Sequence, residues 1–184
     1  MKNIIYKKNG FTLVEMLVAI SILSLSILAS FTAVSSNIRN AKYSEDRIVA
    51  SFLASEAIEY IKNVRDENVI RNIQGIPTNS PVNWLRDISA TISDPCYNRS
   101  CIIDSIENTI TACTSDHNSC PFLRKHYSKI YGYNSSWTLT KYKRSVAVTS
   151  ISSTEATVSV TVTWLAPDGT TKTYSLSEII RNWQ

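Results

Sequence analysis

The longest apolar stretch of the chain lies near its N-terminus. From Phe11 to Val34 the residues are apolar or small, apart from Glu15 and several Ser and Thr. As an α-helix, these 24 residues span roughly 36 Å, which is enough to cross the hydrocarbon core of a bilayer. We therefore predict a membrane-spanning helix over residues 11–34.

A second periodic pattern follows this stretch directly. Residues 35–74 contain neither Gly nor Pro, and apolar side chains recur there at steps of three or four, as on one face of a helix. Gly75 and Pro77 then predict the stop, as a left-handed cap and a helix breaker. We expect one helix from residue 11 to about 74, about 96 Å long, with an amphipathic second half. The apolar set is Val49, Leu53, Ala57, Tyr60 or Ile61, and Val64.

The C-terminal fifty residues alternate between apolar and polar side chains, the period of half-buried strands. We predict strands over residues 137–140, 144–149, 156–164 and 171–176, with turns at 152–155 and 167–169. An antiparallel meander packed on the amphipathic helix would bury both apolar faces. The expected fold class is α+β.

Residues 76–135 are rich in Pro, Asn and Ser, and they predict a loop region with short helical turns at residues 84–88 and 102–106. The domain organisation that we expect is a leader over residues 1–10, a membrane helix over 11–34, its amphipathic continuation over 35–74 and a head over 75–184. The head consists of the loop region (76–135) and the strands (136–184).

The four cysteines all lie in this loop region. An even number outside the cytoplasm favours disulfides, and three connectivities are possible. We favour the local pairs, which would close two small loops. The residues are Cys96, Cys101, Cys113 and Cys120.

Metal sites are the competing interpretation of the same region. His117 and His126 lie near the cysteines, but the C-x2-C spacing typical of zinc is missing. The carboxylates there do not follow the spacing of a calcium loop, and charged loop residues are usually solvated. We predict no cofactor and no metal. The carboxylates are Asp94, Asp104, Glu107 and Asp116.

Charge placement predicts the membrane orientation. Lys2, Lys7 and Lys8 precede the apolar segment, which places the N-terminus in the cytoplasm and the head outside. A secretory signal would have a shorter apolar region and a small-residue cleavage site. Because those lysines supply three of the net +4 charges, the chain from Phe11 onward is nearly neutral, which does not favour a nucleic-acid partner.

Glu15 is an ionisable residue inside the apolar segment, and such residues are functional candidates. An interfacial Glu that reaches toward the headgroups is the structural alternative. A cut between Gly10 and Phe11 would create an α-amino group four residues before Glu15, with a pKa of about 8. The two opposite charges could then pair within one helix or between neighbouring subunits.

The residues from Gly10 to Leu17, GFTLVEML, resemble the signature of the type IV pilin-like family, which comprises type IV pilins and the pseudopilins of type II secretion systems. The resemblance implies that a prepilin peptidase cuts after Gly10 and N-methylates Phe11, and that Glu15 is the assembly carboxylate. It also implies other pilin or pseudopilin subunits and an inner-membrane assembly platform as partners. The chain would reside in the inner membrane and then in a fibre. Many major pilins carry Gly or Pro in this helix, and here neither occurs.

Within that family we expect a minor pilin or minor pseudopilin, with a major subunit as one alternative. A DNA-binding pilin of a competence system is another, because basic and aromatic residues interleave between 124 and 144. A plain membrane-anchored protein would keep its leader. We find no phosphate loop or catalytic motif and predict no enzymatic activity. The basic residues are Arg124, Lys125, Lys129, Lys141, Lys143 and Arg144.

Overall fold

A computed structural model describes residues 10, 12–75, 83–114 and 117–183. The chain divides into two compact units, Met1–Ser44 and Glu45–Gln184, which we call the N-terminal unit and the head unit. In chain order the elements are α1 (Leu13–Ile73), β1 (Cys101–Asp104), β2 (Thr109–Ala112), a 3-10 turn (His117–Ser119), β3 (Phe122–Lys125), β4 (Tyr131–Gly132), β5 (Thr138–Ser150), β6 (Glu155–Leu165) and β7 (Thr171–Arg181).

In the N-terminal unit, α1 exposes its apolar side chains, and four of its serines donate hydroxyl hydrogen bonds to backbone carbonyls of the same helix. Ser21 Oγ donates to the carbonyl of Leu17 at 2.8 Å, and Ser24 repeats this bond to Ile20 at 2.8 Å. Ser26 and Ser30 bond one turn back in the same way. Because each of these four hydroxyls has an acceptor in the preceding turn, these serines are compatible with an apolar surrounding.

The helix ends where the sequence predicts. Gln74 N donates to the carbonyl of Ile70 at 2.9 Å, and Gly75 N donates to that of Asn72 at 3.0 Å. Gly75 has φ +67°, the left-handed conformation of a helix cap. Pro77, the second predicted stop, lies outside the described residues.

The sheet of the head unit is antiparallel and centred on β5. One edge of β5 pairs with β6 from Tyr142 to Ser150, and β6 pairs with β7 along its whole length. The other edge of β5 pairs with β3 and with β1 at Val146. The predicted meander is confirmed, but two of its predicted strands, 137–140 and 144–149, are one continuous strand. The last strand also extends beyond the predicted residue 176 to Arg181.

The middle region contains more strand than the sequence indicates. The predicted helical turn at residues 102–106 is wrong, because Cys101–Asp104 forms β1 between β2 and β5. The turn at 84–88 is confirmed: Ile88 N donates to the carbonyl of Leu85, and Trp84 Nε1 reaches the carbonyl of Ser153 at 3.1 Å.

The core of the head unit lies between the second half of α1 and one face of the sheet. Leu53, Ala57 and Ile61 of α1 are almost fully buried, as the helical periodicity predicts. Five alternate residues of β6 supply the opposing surface. They are Ala156, Val158, Val160, Val162 and Trp164.

A buried carboxylate also joins α1 to β5. Asp46 is 2% exposed; it accepts hydrogen bonds from Lys141 Nζ at 2.5 Å and from the Tyr142 hydroxyl at 2.9 Å. The pKa of Tyr142 is raised above its usual value, mainly by burial and secondly by the hydrogen bond to Asp46. The phenol therefore remains a donor at neutral pH.

We expect Asp46→Asn to lower the free energy of unfolding by about 1–2 kcal/mol, because two donors lose a charged acceptor while Lys141 stays partly hydrated. Glu67→Gln on the same helix removes an exposed pair with Arg71 and should cost below about 0.5 kcal/mol. Urea unfolding in detergent micelles, followed by tryptophan fluorescence, measures both variants. Equal costs would show that Asp46 is not a structural anchor.

Candidate functional site

The N-terminus of α1 is capped by Thr12. Thr12 Oγ1 accepts the N–H of Glu15 at 3.2 Å, and the Thr12 carbonyl accepts that of Met16 at 3.2 Å. The order Thr-x-x-Glu is the spacing of a capping box, and a carboxylate in the first turn is favourable near the positive end of the helix. The backbone of Glu15 therefore takes part in the helix cap, and its carboxylate lies in the first turn; this local role is not among the predictions above, although the Thr-x-x-Glu spacing indicates it.

Gly10 lies outside the helix and is exposed, and a Cβ at this position would meet no atom within 4 Å. Gly10 thus precedes α1. Phe11, the predicted methylated residue, lies outside the described residues, as does the segment 1–9. A cut after Gly10 would place a new amine about one helical turn before Glu15.

Beyond Glu15, α1 meets the length and composition requirements of a membrane span. An 18-residue window has a mean hydropathy of 2.3, and none of it is buried within the chain. Leu17, Ile27 and Phe31 are each more than half exposed. The segment therefore offers an apolar surface that a lipid or another helix can cover.

The four predicted cysteines form two local disulfides. Cys96 pairs with Cys101, with their Cα atoms 5.1 Å apart, and Cys113 pairs with Cys120 at 5.0 Å. Cys96 and Cys101 are fully buried and belong to the core cluster. The first disulfide is thus part of the core, and the second closes a loop beside it.

Removing either disulfide should cost about 2 kcal/mol from the entropy of loop closure. Cys96→Ala with Cys101→Ala should cost more than the matched pair Cys113→Ala with Cys120→Ala, because the first pair is completely buried within the core cluster, whereas the second pair, although also buried, lies outside that cluster. Urea unfolding of each double variant in micelles measures the difference. An equal or reversed order would contradict this packing.

Carboxylates considered as metal ligands serve the backbone instead. Asp104 Oδ1 accepts the N–H groups of Ile106 and Glu107, and Oδ2 accepts that of Tyr133 at 2.9 Å. Asp94 Oδ2 accepts the N–H of Thr91 at 2.6 Å.

In the described part of the chain, no three His, Cys, Asp or Glu residues lie together in a way that could hold a metal ion. Asp116 and the side chain of His117 are outside that part. The His126 ring packs 5.0 Å from that of Trp137.

The basic residues between 124 and 144 do not form one surface. Arg144 is fully buried; it donates to the carbonyls of Leu53 at 2.9 Å and Ile103 at 2.6 Å and lies 3.5 Å from Glu56. Lys141 is held by Asp46. Arg144 therefore does not belong to the nucleic-acid surface that the alternative of a DNA-binding pilin requires.

A groove of about 980 Å³ lies between α1 and residues 87–110 in the head unit. The charged residues that line it are all acidic: Glu56, Glu59, Glu67, Asp87 and Asp94. Glu56 accepts a hydrogen bond from Ser105. The negative charge of this lining disfavours the binding of phosphate groups.

Comparison with protein families gives one match. Residues 5–31 match the family model described as the prokaryotic N-terminal methylation motif. The matched segment contains Gly10, Phe11 and Glu15 together. No curated protein and no solved structure matches the chain. The match is confined to the N-terminal segment, so the role of the head rests on its own structure.

Proposed function

We propose that the chain, whose methylation motif supports a type IV pilin-like protein, is a minor pilin or minor pseudopilin. In this role it is a non-enzymatic assembly subunit of a type IV pilus or of a type II secretion pseudopilus. The observation that carries the proposal is the motif itself, at the start of an exposed apolar helix.

Processing follows from the same segment. We propose that residues 1–10 are the leader, that prepilin peptidase cuts after Gly10 on the cytoplasmic side and that Phe11 is then N-methylated. The lysines of the leader support this orientation. The head unit then lies outside the cytoplasm, and its two disulfides fit an oxidising compartment.

Assembly depends on Glu15 in this proposal. The carboxylate is exposed on α1, and its backbone N–H is already bonded to Thr12. After the cut, the amine of Phe11 in one subunit meets the Glu15 carboxylate of the neighbouring subunit, which sets the axial stagger of the two helices. The pairing removes two unpaired charges from an apolar environment.

A minor role is favoured by the specialised head. Its two disulfide-closed loops and its four short strands between residues 101 and 132 give an irregular surface at one flank of the sheet. Quantitative mass spectrometry of sheared fibres tests this role. A minor subunit is present far below the level of the principal subunit, whereas equal or greater abundance would make the chain a major subunit.

A further inference from the structure

The outer edge of β7 has no strand partner among the described residues. β7 runs for 11 residues and pairs only with β6, in one uninterrupted register from Thr171 to Arg181. A long unpaired edge of this kind presents a row of free backbone donors and acceptors.

The hydrogen bonds at both ends of the β6–β7 hairpin fix which backbone groups face outward. Ala166 N donates to the carbonyl of Thr170 at 2.9 Å, and Asn182 N donates to that of Thr154 at 2.8 Å. Both bonds join residues of even number in the same register. Because bonded and non-bonded pairs alternate in an antiparallel ladder, the even residues of β7 face β6 and the odd residues point their N–H and C=O groups outward. These odd residues are Thr171, Thr173, Ser175, Ser177, Ile179 and Arg181.

The edge lacks the features that normally protect such strands. β7 contains no Pro, and its register shows no bulge. The charges of Lys172 and Glu178 are engaged within the chain, by Asp168 at 3.7 Å and Lys62 at 2.7 Å. The outward-facing rungs from 173 to 177 carry only small hydroxyl side chains, which leave the backbone accessible.

The side chains of β7 define the chemistry of a complementary strand. On the face that meets α1, Tyr174 and Leu176 pack on the core and are partly buried at its margin. On the opposite face, Ser177 pairs with Ser159 across the strands at 2.9 Å. An added strand would therefore place apolar residues beside Tyr174 and Leu176 and small hydroxyl residues beside Ser177.

We propose that this edge receives an extended strand from another pilin-like subunit, with side chains that alternate between apolar and small hydroxyl residues. The partner class rests on the proposed function, since a pilin-like chain assembles with other such subunits. We do not assign the edge to antiparallel pairing of β7 with β7 of a second copy. Such pairing turns one copy by half a rotation about an axis perpendicular to the sheet, so the parts of α1 within the two head units would run in opposite directions, whereas the proposed function anchors all subunits in the same membrane with the same orientation.

Photo-crosslinking in the full chain tests the edge. A benzophenone amino acid at position 177 is introduced into cells that carry the assembly system, and crosslinked peptides are identified by mass spectrometry. A probe at Thr161 of β6 is the control, because this residue lies on the same face of the sheet but one strand away from the edge. A partner that covers the face of the sheet would crosslink at both positions, whereas a strand added at the edge would crosslink mainly at position 177. The expected product joins position 177 to an extended segment of another pilin-like subunit.

Substitutions at Ser175 distinguish the contribution of its backbone N–H to strand pairing from that of its side chain. Ser175→Pro removes an outward N–H without touching the ladder to β6, and should lower the crosslink yield at position 177 about tenfold. Ser175→Lys protects the edge without a backbone change and should act in the same direction. Ser175→Ala keeps the N–H and should leave the yield unchanged.

Three results would overturn the proposal. The first is a processed and assembled chain without this crosslink. The second is a crosslink from position 177 to a helix, to β7 of a second copy or to a protein outside the pilin-like class, and the third is an equal crosslink yield in all three variants. N-terminal processing is scored in the same sample. An unprocessed chain would instead contradict the proposed function.

Discussion

Glu15→Ala is expected to be cut after Gly10 and inserted into the membrane, yet to be absent from fibres. In the proposed processing the peptidase acts on the bond after Gly10, and Gly10 lies outside the α1 helix that contains the carboxylate. Without Glu15, the amine of the neighbouring subunit remains unpaired in an apolar environment. A charge at the centre of a bilayer costs on the order of 2.5–3.5 kcal/mol; this is the upper value for an amine at the start of the span, and it corresponds to about a hundredfold in an assembly equilibrium.

Two further substitutions at this position separate charge from helix capping. Glu15→Gln keeps a residue that suits the third position of a capping box but lacks the charge, and should fail in assembly like Glu15→Ala. Glu15→Asp keeps the charge and should assemble in part. Glu59→Ala, on an exposed position of the head unit, is the control for loss of a carboxylate. Immunoblots of sheared fibres and membranes measure all four, and normal incorporation of Glu15→Gln would contradict the charge pairing.

Arg144→Ala is expected to lower the free energy of unfolding of the head by about 3–5 kcal/mol. The guanidinium is fully buried and bridges α1 to β1 through the carbonyls of Leu53 and Ile103. Its removal leaves a cavity and deprives Glu56 of its cation. Such a loss is a large share of the stability of a domain of this size.

Lys143→Ala is the matched control, because it removes the same charge from the adjacent residue of β5. Lys143 lies on the other face, where it donates to the carbonyl of Asn118 at 2.6 Å and stacks on Phe122. Its loss should cost less than about 1 kcal/mol. Urea unfolding in micelles compares the two, and a cost for Arg144→Ala no greater than that for Lys143→Ala would contradict the bridging role.

The elements with long, regular patterns could be predicted from the sequence. The amphipathic stretch of α1 and the strands β5 to β7 each follow from one periodicity maintained over many residues, and the end of α1 follows from the cap residue Gly75. The short strands β1 to β4 could not, because two to four residues are too few to show a period. The spacing of Ile102, Ile103 and Ile106 even indicates a helix, and pairing with β2 and β5 overrides it.

The sequence predicts the burial of the charged residues only in part. Arg144 has the same parity along β5 as Val146 and Val148, so the alternation already assigns it to the apolar face. Its positive charge nevertheless suggested a surface position, since buried arginines require partners that only the folded chain supplies. Asp46 is similar: its partners Lys141 and Tyr142 lie about a hundred residues away in the sequence.

The sequence predicts those parts of the candidate site whose residues lie close together along the chain. Gly10, Glu15 and the capping residue Thr12 lie within six residues of one another, so their spacing is present in the sequence itself. The local cysteine pairs are also close in sequence, with separations of 5 and 7. The open edge of β7 has no sequence signature, because it depends on which strands are absent beside it.

Intact-mass analysis of the chain isolated from membranes tests the pilin-like processing most directly. We predict a mass that lacks Met1 to Gly10, carries one additional methyl group and is four hydrogens lighter because of the two disulfides. Cells without the prepilin peptidase provide the unprocessed reference. A mass that retains Met1 to Gly10 in cells with an active peptidase would contradict the assignment of this chain to the prepilin pathway.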